Sequence, residues 1–235
     1  MGSIFTFKQF EVNQNGCAMK INTDGVLLGA IAVQQHAGHI LDIGTGTGVI
    51  AMMMAQRYAD AEVDAVEIDP AAAAAADHNF AASPFADRMK AYSVSFEKFT
   101  AAVKYDLIIS NPPYFVNDLK NPEKRKEIAR HTHEDFFDML IRRAASMLSK
   151  DGSLWMILPV KQAEDAAVNA ILYKLYPARI IHIYSDQFKP EFRQILCLDF
   201  KGSKPLAEDH VYIYASQGQY TDQYKKLLKD FFLAF

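Results

Sequence analysis

Cysteine is nearly absent. Cys17 and Cys197 are the only two in the chain, too few for a disulfide framework. Neither stands near other residues at zinc-ligand spacing, so both read as free thiols and no metal is expected. No run of about eighteen consecutive apolar residues occurs, the length a membrane-spanning helix needs. The N-terminus has no basic stretch followed by an apolar one. A soluble, cytoplasmic protein without a membrane partner is therefore expected. Charge of one sign is also missing: 25 Lys and Arg against 28 Asp and Glu leave a net charge of −3. The whole chain does not attract polyanions, and any nucleic-acid binding must come from a local patch. There is no internal repeat. The single tryptophan, Trp155, falls inside an apolar run and reads as core.

What is present is hydrophobic material in alternating elements. Half of the 235 residues are hydrophobic, enough for a sizeable core. One domain over 1–235 is expected, with 1–38 as an N-terminal arm and helix and 39–235 as the core. Strand-like runs cover His39–Ile43, Ala61–Ile68, Met89–Val94, Tyr105–Ser110, Ser153–Pro159, Arg179–Ser185 and Gln194–Phe200. Helix-like runs cover Val26–Gln35, Thr47–Tyr58, Pro70–Phe80, His133–Leu148, Lys161–Tyr173 and Asp222–Phe232. Thr23 or Asp24 would cap the first helix, and Asp69 with Pro70 the third. Phe5–Met19 reads as a hairpin or arm, and Val211–Ala215 as a further short strand. Strand–helix alternation predicts a doubly wound α/β sheet. The last two long strands lack a long crossover and are expected as an antiparallel hairpin at one edge.

Three motifs carry chemistry. In Leu41-Asp42-Ile43-Gly44-Thr45-Gly46-Thr47-Gly48 an apolar strand enters a glycine turn and a helix follows. Glycines let a backbone approach a ligand closely. Val49 stands where a dinucleotide fingerprint wants Gly or Ala. A G-x-G-x-G turn preceded by an acid instead suits adenosylmethionine, with Asp42 orienting the turn and, through water, a ligand ammonium. Glu67 ends the second strand about twenty residues on, where an acid accepts from both ribose hydroxyls. Alone it could equally be a solvated strand-end acid. Third, Asn111-Pro112-Pro113-Tyr114 follows the fourth strand. The Asn111 amide oxygen and the Pro112 carbonyl can both accept from one planar NH2. The prolines stiffen the turn, and Tyr114 offers a face for stacking. A plain proline-rich turn is the alternative.

These motifs in this order resemble the class I adenosylmethionine-dependent methyltransferases, in the amino-methylating branch. The likeness is narrower still. Phe7–Phe10, Met19–Gly29, Leu41–Gly48, Asn111–Phe115 and the tail Lys229–Phe235 together are similar to the bacterial tRNA1(Val) adenine-37 N6-methyltransferase family. The resemblance spans nearly the whole chain, and Thr23–Gly29 and the tail are its more specific parts. It implies a Rossmann-like, seven-stranded, mostly parallel sheet of order 3-2-1-4-5-7-6 with strand seven antiparallel. It also implies a monofunctional enzyme that methylates N6 of an adenine in tRNA, with S-adenosyl-L-homocysteine as product; a monomer is expected. One place departs from the wider pattern. Where an acid usually meets the cofactor adenine, the chain has Ser95 and Phe96; Glu97 is expected to point away by strand alternation.

The expected catalytic set is Asn111, Pro112, Pro113 and Tyr114. The expected cofactor set is Lys20, Thr23, Asp42, Gly44, Gly46, Gly48, Glu67, Ile68, Ser95, Phe96 and Asn111. Residues Lys120–His131 hold five Lys or Arg against two acids. Lys120, Lys124, Arg125, Lys126 and Arg130, with Lys189 and Arg193, form the expected RNA-phosphate set; a solvated loop is the bland alternative. His131 and His133 read as loop and helix residues, and Phe136 and Phe137 as helix packing. Besides N6-methylation of adenine in DNA, for which the chain has little room for a separate target-recognition domain, two other functions fit parts of the pattern. One is glutamine N5-methylation of a protein, against which only about forty residues precede the glycine turn. The other is a non-catalytic RNA-binding module, against which all three motifs are intact.

Overall fold

The computed structural model describes residues 4–15, 17, 20–113, 136–203 and 205–235. The strands β3 (His39–Ile43) and β6 (Tyr105–Ser110) are buried along almost their whole length. Continuous apolar runs need cover on both faces, and a parallel sheet between helices supplies it. β4 (Glu62–Glu67), β5 (Met89–Ser93), β7 (Leu148–Leu158), β8 (Tyr176–Tyr184), β9 (Glu191–Asp199) and β10 (Ala207–Tyr212) complete that sheet. A separate hairpin, β1 (Ile4–Thr6) and β2 (Glu11–Asn13), makes the N-terminal arm.

The sheet order is β5-β4-β3-β6-β7-β9-β8-β10. Its first seven positions follow the expected 3-2-1-4-5-7-6 order, with β9 antiparallel to β7 and β8. An eighth strand corrects the expected count. β10 pairs in parallel with β8, so the β8–β9 hairpin is not at the edge. Its sequence, Ala-Glu-Asp-His-Val-Tyr, is polar because it is itself the edge. It is held by side chains: Arg179 meets Asp209 at 2.7 Å. The rings of His182 and His210, and of Tyr184 and Tyr212, stack with centroids 4.9 Å apart.

Two hydrophobic layers flank the sheet. On one face pack α1 (Thr23–Ile31), α2 (Val49–Arg57), α3 (Pro70–Ala81), α6 (Asp222–Leu228) and the arm residues Phe7 and Phe10. On the other lie α4, described over 136–147, and α5 (Val160–Ala170). Trp155 is core, as expected. Met52, Met53 and Met54 are fully buried, each contributing roughly 1.5–3 kcal/mol. Among the described residues no helix is long and apolar enough to cross a membrane. α1 begins earlier than expected and ends at Ile31. Asn22 is its cap, its side chain accepting from Gly25 N at 2.8 Å. Thr23 and Asp24 therefore lie inside the first turn. The tail closes on the arm: the rings of Phe5 and Phe232 sit 5.6 Å apart, and Lys8 donates to the Phe235 carbonyl at 2.8 Å.

Candidate active site

In a parallel sheet the strand ends and the turns after them converge at the carboxyl edge, the usual place for a ligand. Here the ends of β3, β4 and β6 open into a cleft of about 520 Å3. The glycine turn is tied to β4 by Gly44 N, which donates to the Val66 carbonyl at 2.8 Å. Gly44 and Gly46 have φ of +71° and +58°, and a Cβ built on either meets nothing within 4 Å. The turn thus presents bare backbone to the cleft.

Two acids fix this turn. Asp42 is completely buried behind it. Its Oδ2 accepts from Thr45 Oγ1 at 2.6 Å and from Ala51 N at 3.2 Å. Oδ1 has no partner among the described residues. Burial pushes the carboxyl up to about 7, against the pull of those two hydrogen bonds. Glu67 closes the turn from the cleft side. Its Oε2 accepts from Gly46 N and its Oε1 from Asp69 N, both at 2.9 Å. Each oxygen keeps a lone pair for a ligand hydroxyl.

The remaining walls suit a flat, mostly apolar group. Val66, Ile68, Phe96, Phe136 and Met139 line the cleft. Ser95 also lines it, and its hydroxyl is buried with no partner among the described residues. A buried hydroxyl without a partner is a destabilising feature unless a ligand satisfies it. Together the bare glycine turn, the diol-competent acid, the apolar walls and this hydroxyl fit a nucleoside with an attached amino-acid chain. Asn111, Pro112 and Pro113 line the same cleft at the end of β6. Ser110 just before them donates to the Ile43 carbonyl at 2.9 Å, which locks the end of β6 to β3.

Of the expected residues, Gly44, Gly46, Glu67, Ile68, Ser95, Phe96, Asn111, Pro112 and Pro113 line this one cleft. Lys20 and Thr23 are exposed and do not line it. Asp42 and Gly48 stand behind the turn. Gly48 is the cap of α2 at φ +87°, and a Cβ there would sit 2.4 Å from Phe80 Cε1. Glu97 corrects the alternation reading: it lines the cleft. β5 ends at Ser93, and Lys98 N and Phe99 N both bond to the Ser95 carbonyl. Residues 95–99 form a turn, where period-two alternation does not apply. Phe136 and Met139 were also missed as cleft residues. They lie one helical turn apart, a signal that becomes readable only once α4 is known to cover the carboxyl edge. Cys17 and Asp69 line the cleft too, while Asp69 still caps α3 through Ala71 N.

Of the expected phosphate contacts, Lys189 is exposed and lies 3.4 Å from Asp186. Arg193 is instead paired with Asp24 at 2.8 Å in a largely enclosed position. Tyr114, Lys120, Lys124, Arg125, Lys126 and Arg130 lie outside the described residues, as do His131 and His133.

A known structure shares the fold, and a family model gives the class. A solved structure described as a predicted O-methyltransferase from Agrobacterium tumefaciens matches with a TM-score of 0.64 at 19% identity, over 88% of this chain and 96% of its own. The family model of the methyltransferase small domain matches residues 20–178. The chain belongs to the tRNA1(Val) (adenine(37)-N6)-methyltransferase family. A curated relative of that name from Pedobacter heparinus is 58% identical over 235 residues, 100% of both chains. Another, from Bacteroides thetaiotaomicron, is 38% identical over 230 residues, 97% of each.

Proposed function

We propose that this protein transfers a methyl group from S-adenosylmethionine to N6 of adenine 37 in tRNA1(Val). The observation that carries the reading is that Asn111 and Pro112 line one cleft together with Gly44, Gly46 and Glu67. The amino-group clamp and the nucleoside cradle therefore face a shared space. The full-length relatives support the tRNA and the position of the adenine.

When bound, the cofactor supplies a methyl already made electrophilic by its sulfonium. The residues of the chain have the tasks of orientation and charge. Glu67 would accept the ribose hydroxyls, and the bare backbone of Gly44 and Gly46 would hold the amino-acid portion. The Ser95 hydroxyl and the Phe96 side chain would hold the adenine ring of the cofactor. Adenine N6 is a weak nucleophile because its lone pair is delocalised into the ring. Asn111 Oδ1 and the Pro112 carbonyl accept its two N–H bonds, hold the nitrogen in line and stabilise the positive charge that develops there. Tyr114 stacks on the extruded base. A base in an unpaired loop is cheaper to extrude than one in a duplex. The basic residues Lys120, Lys124, Arg125, Lys126, Arg130 and Lys189 supply phosphate contacts to the tRNA.

Asn111→Ala tests the mechanism. It should abolish detectable turnover while cofactor affinity, read by calorimetry, stays within about twofold, because the amide serves the acceptor base. A variant with wild-type kcat would reduce Asn111 to a turn residue.

A further inference from the structure

The segment Met19–Gly29 is among the more distinctive parts of the chain, yet Lys20 and Thr23 do not line the cleft. What its first helical turn faces is Asn111. A Cβ built on Gly25 would stand 3.5 Å from Asn111 Nδ2 and 3.4 Å from Asn22 Oδ1. The backbone of that turn is therefore a wall one carbon away from the Asn111 amide. Gly25 is fixed in place by Asn22, whose side chain accepts its N–H. The next contact is long-range. Asp24 Oδ2 accepts from Arg193 Nε at 2.8 Å, across 169 positions of sequence. The two side chains are only 13% and 24% exposed, so the pair is screened far less than a surface salt bridge. Arg193 is itself held: its Nη1 donates to the Phe192 carbonyl at 2.8 Å, and its guanidinium lies 5.4 Å from the Phe192 ring centroid.

We propose that the Asp24–Arg193 pair is a positioning clamp, which pins the first turn of α1 to the start of β9 and so fixes the wall against which Asn111 is set. Ser110 anchors the strand end below Asn111 to β3, and the clamp fixes the side facing α1. The inference rests on the reading of Asn111 as the acceptor-orienting residue. It also replaces the expectation that Arg193 meets an RNA phosphate, since a phosphate would have to displace a partly buried carboxylate. Neither Asp24 nor Arg193 is assigned contact with substrate or cofactor; they act through Asn111. A displacement of about 1 Å at such a group can cost about a hundredfold in rate, so a modest loosening of the turn is enough to matter.

The test uses the full chain with Asp24→Asn, Arg193→Lys and Gly25→Val, each checked by thermal melting for folding. Steady-state methyl transfer to tRNA, cofactor affinity and the salt dependence of tRNA binding are measured in parallel. Asp24→Asn should lower kcat by about tenfold to a hundredfold, with cofactor affinity and the salt slope unchanged. Arg193→Lys keeps the charge but not the geometry, and should lose less. Gly25→Val changes neither member of the pair but puts γ-methyls beyond a Cβ already 3.5 Å from Asn111 Nδ2, so it should lose kcat in the same way. Wild-type kcat in the folded variants would overturn the clamp. So would a loss confined to tRNA affinity with a salt slope smaller by about one, which is the signature of a phosphate contact. If the wild type transfers no methyl to tRNA, the functional reading fails separately. The clamp is then decided by the side-chain amide signals of Asn111 in 15N–1H spectra. They should shift in Asp24→Asn; unmoved signals would overturn it.

Discussion

At the scale of single residues, two carboxylates on one glycine turn have different surroundings and different duties. Asp42 is buried behind the glycine turn, and burial pushes its pKa up to about 7. In the unfolded chain it has an ordinary carboxylate pKa near 3.8. Between those values the folded protein holds a proton that the unfolded chain has released. Stability from this group is therefore full below about 4 and declines as pH rises toward about 7. Asp42→Asn is neutral at every pH. The difference in Tm between variant and wild type should then change in the variant's favour from pH 5 to pH 8, measured by thermal melting. A pH-independent difference would mean Asp42 is ionised throughout. Glu67 faces the cleft and is bonded to both Gly46 N and Asp69 N. Glu67→Ala should weaken cofactor binding by roughly 1–3 kcal/mol in calorimetry. Unchanged affinity would remove the ribose assignment.

At the scale of elements, glycines that look alike in sequence differ in what surrounds them. Gly48 combines φ +87° with a Cβ position 2.4 Å from Phe80, while Gly46, at φ +58°, faces open space. Gly48→Ala adds backbone strain to overpacking against α3, roughly 2–4 kcal/mol in all. For a chain of this size that lowers Tm by about 5–15 °C. Gly46→Ala carries only the strain and should melt much closer to wild type. Similar Tm losses in both would show that the Phe80 contact is unimportant. The same contrast explains what was legible. β3, β4, β6 and their turns were readable because burial on both faces leaves continuous apolar runs, and the glycine turn and Asn111-Pro112-Pro113 carry their chemistry in sequence. β10 was misread because an edge strand is polar. The start of α1 was misread because three consecutive residues, Asn22, Thr23 and Asp24, can each cap, and only the fold selects Asn22. Glu97, Phe136 and Met139 were hidden because a cleft wall drawn from separate elements leaves no local pattern.

At the scale of the whole molecule, the N-terminal arm, the first turn of α1 and the C-terminal tail are tied to the methyltransferase core rather than appended to it. Lys8 reaches the tail, Asn79 Nδ2 donates to the carbonyls of Asn13 and Thr47, and Arg193 holds Asp24. The arm thus meets the glycine turn through Asn79, and the tail closes on the arm. Delivery of a methyl group from this cleft to an adenine amino group of tRNA is the proposed activity. It is tested most directly by incubating the protein with labelled S-adenosylmethionine and unmodified tRNA1(Val), then digesting and analysing the nucleosides by mass spectrometry. Label should appear in N6-methyladenosine and map to position 37. Label that appears only in protein glutamine, or in no nucleoside at all, would contradict the account.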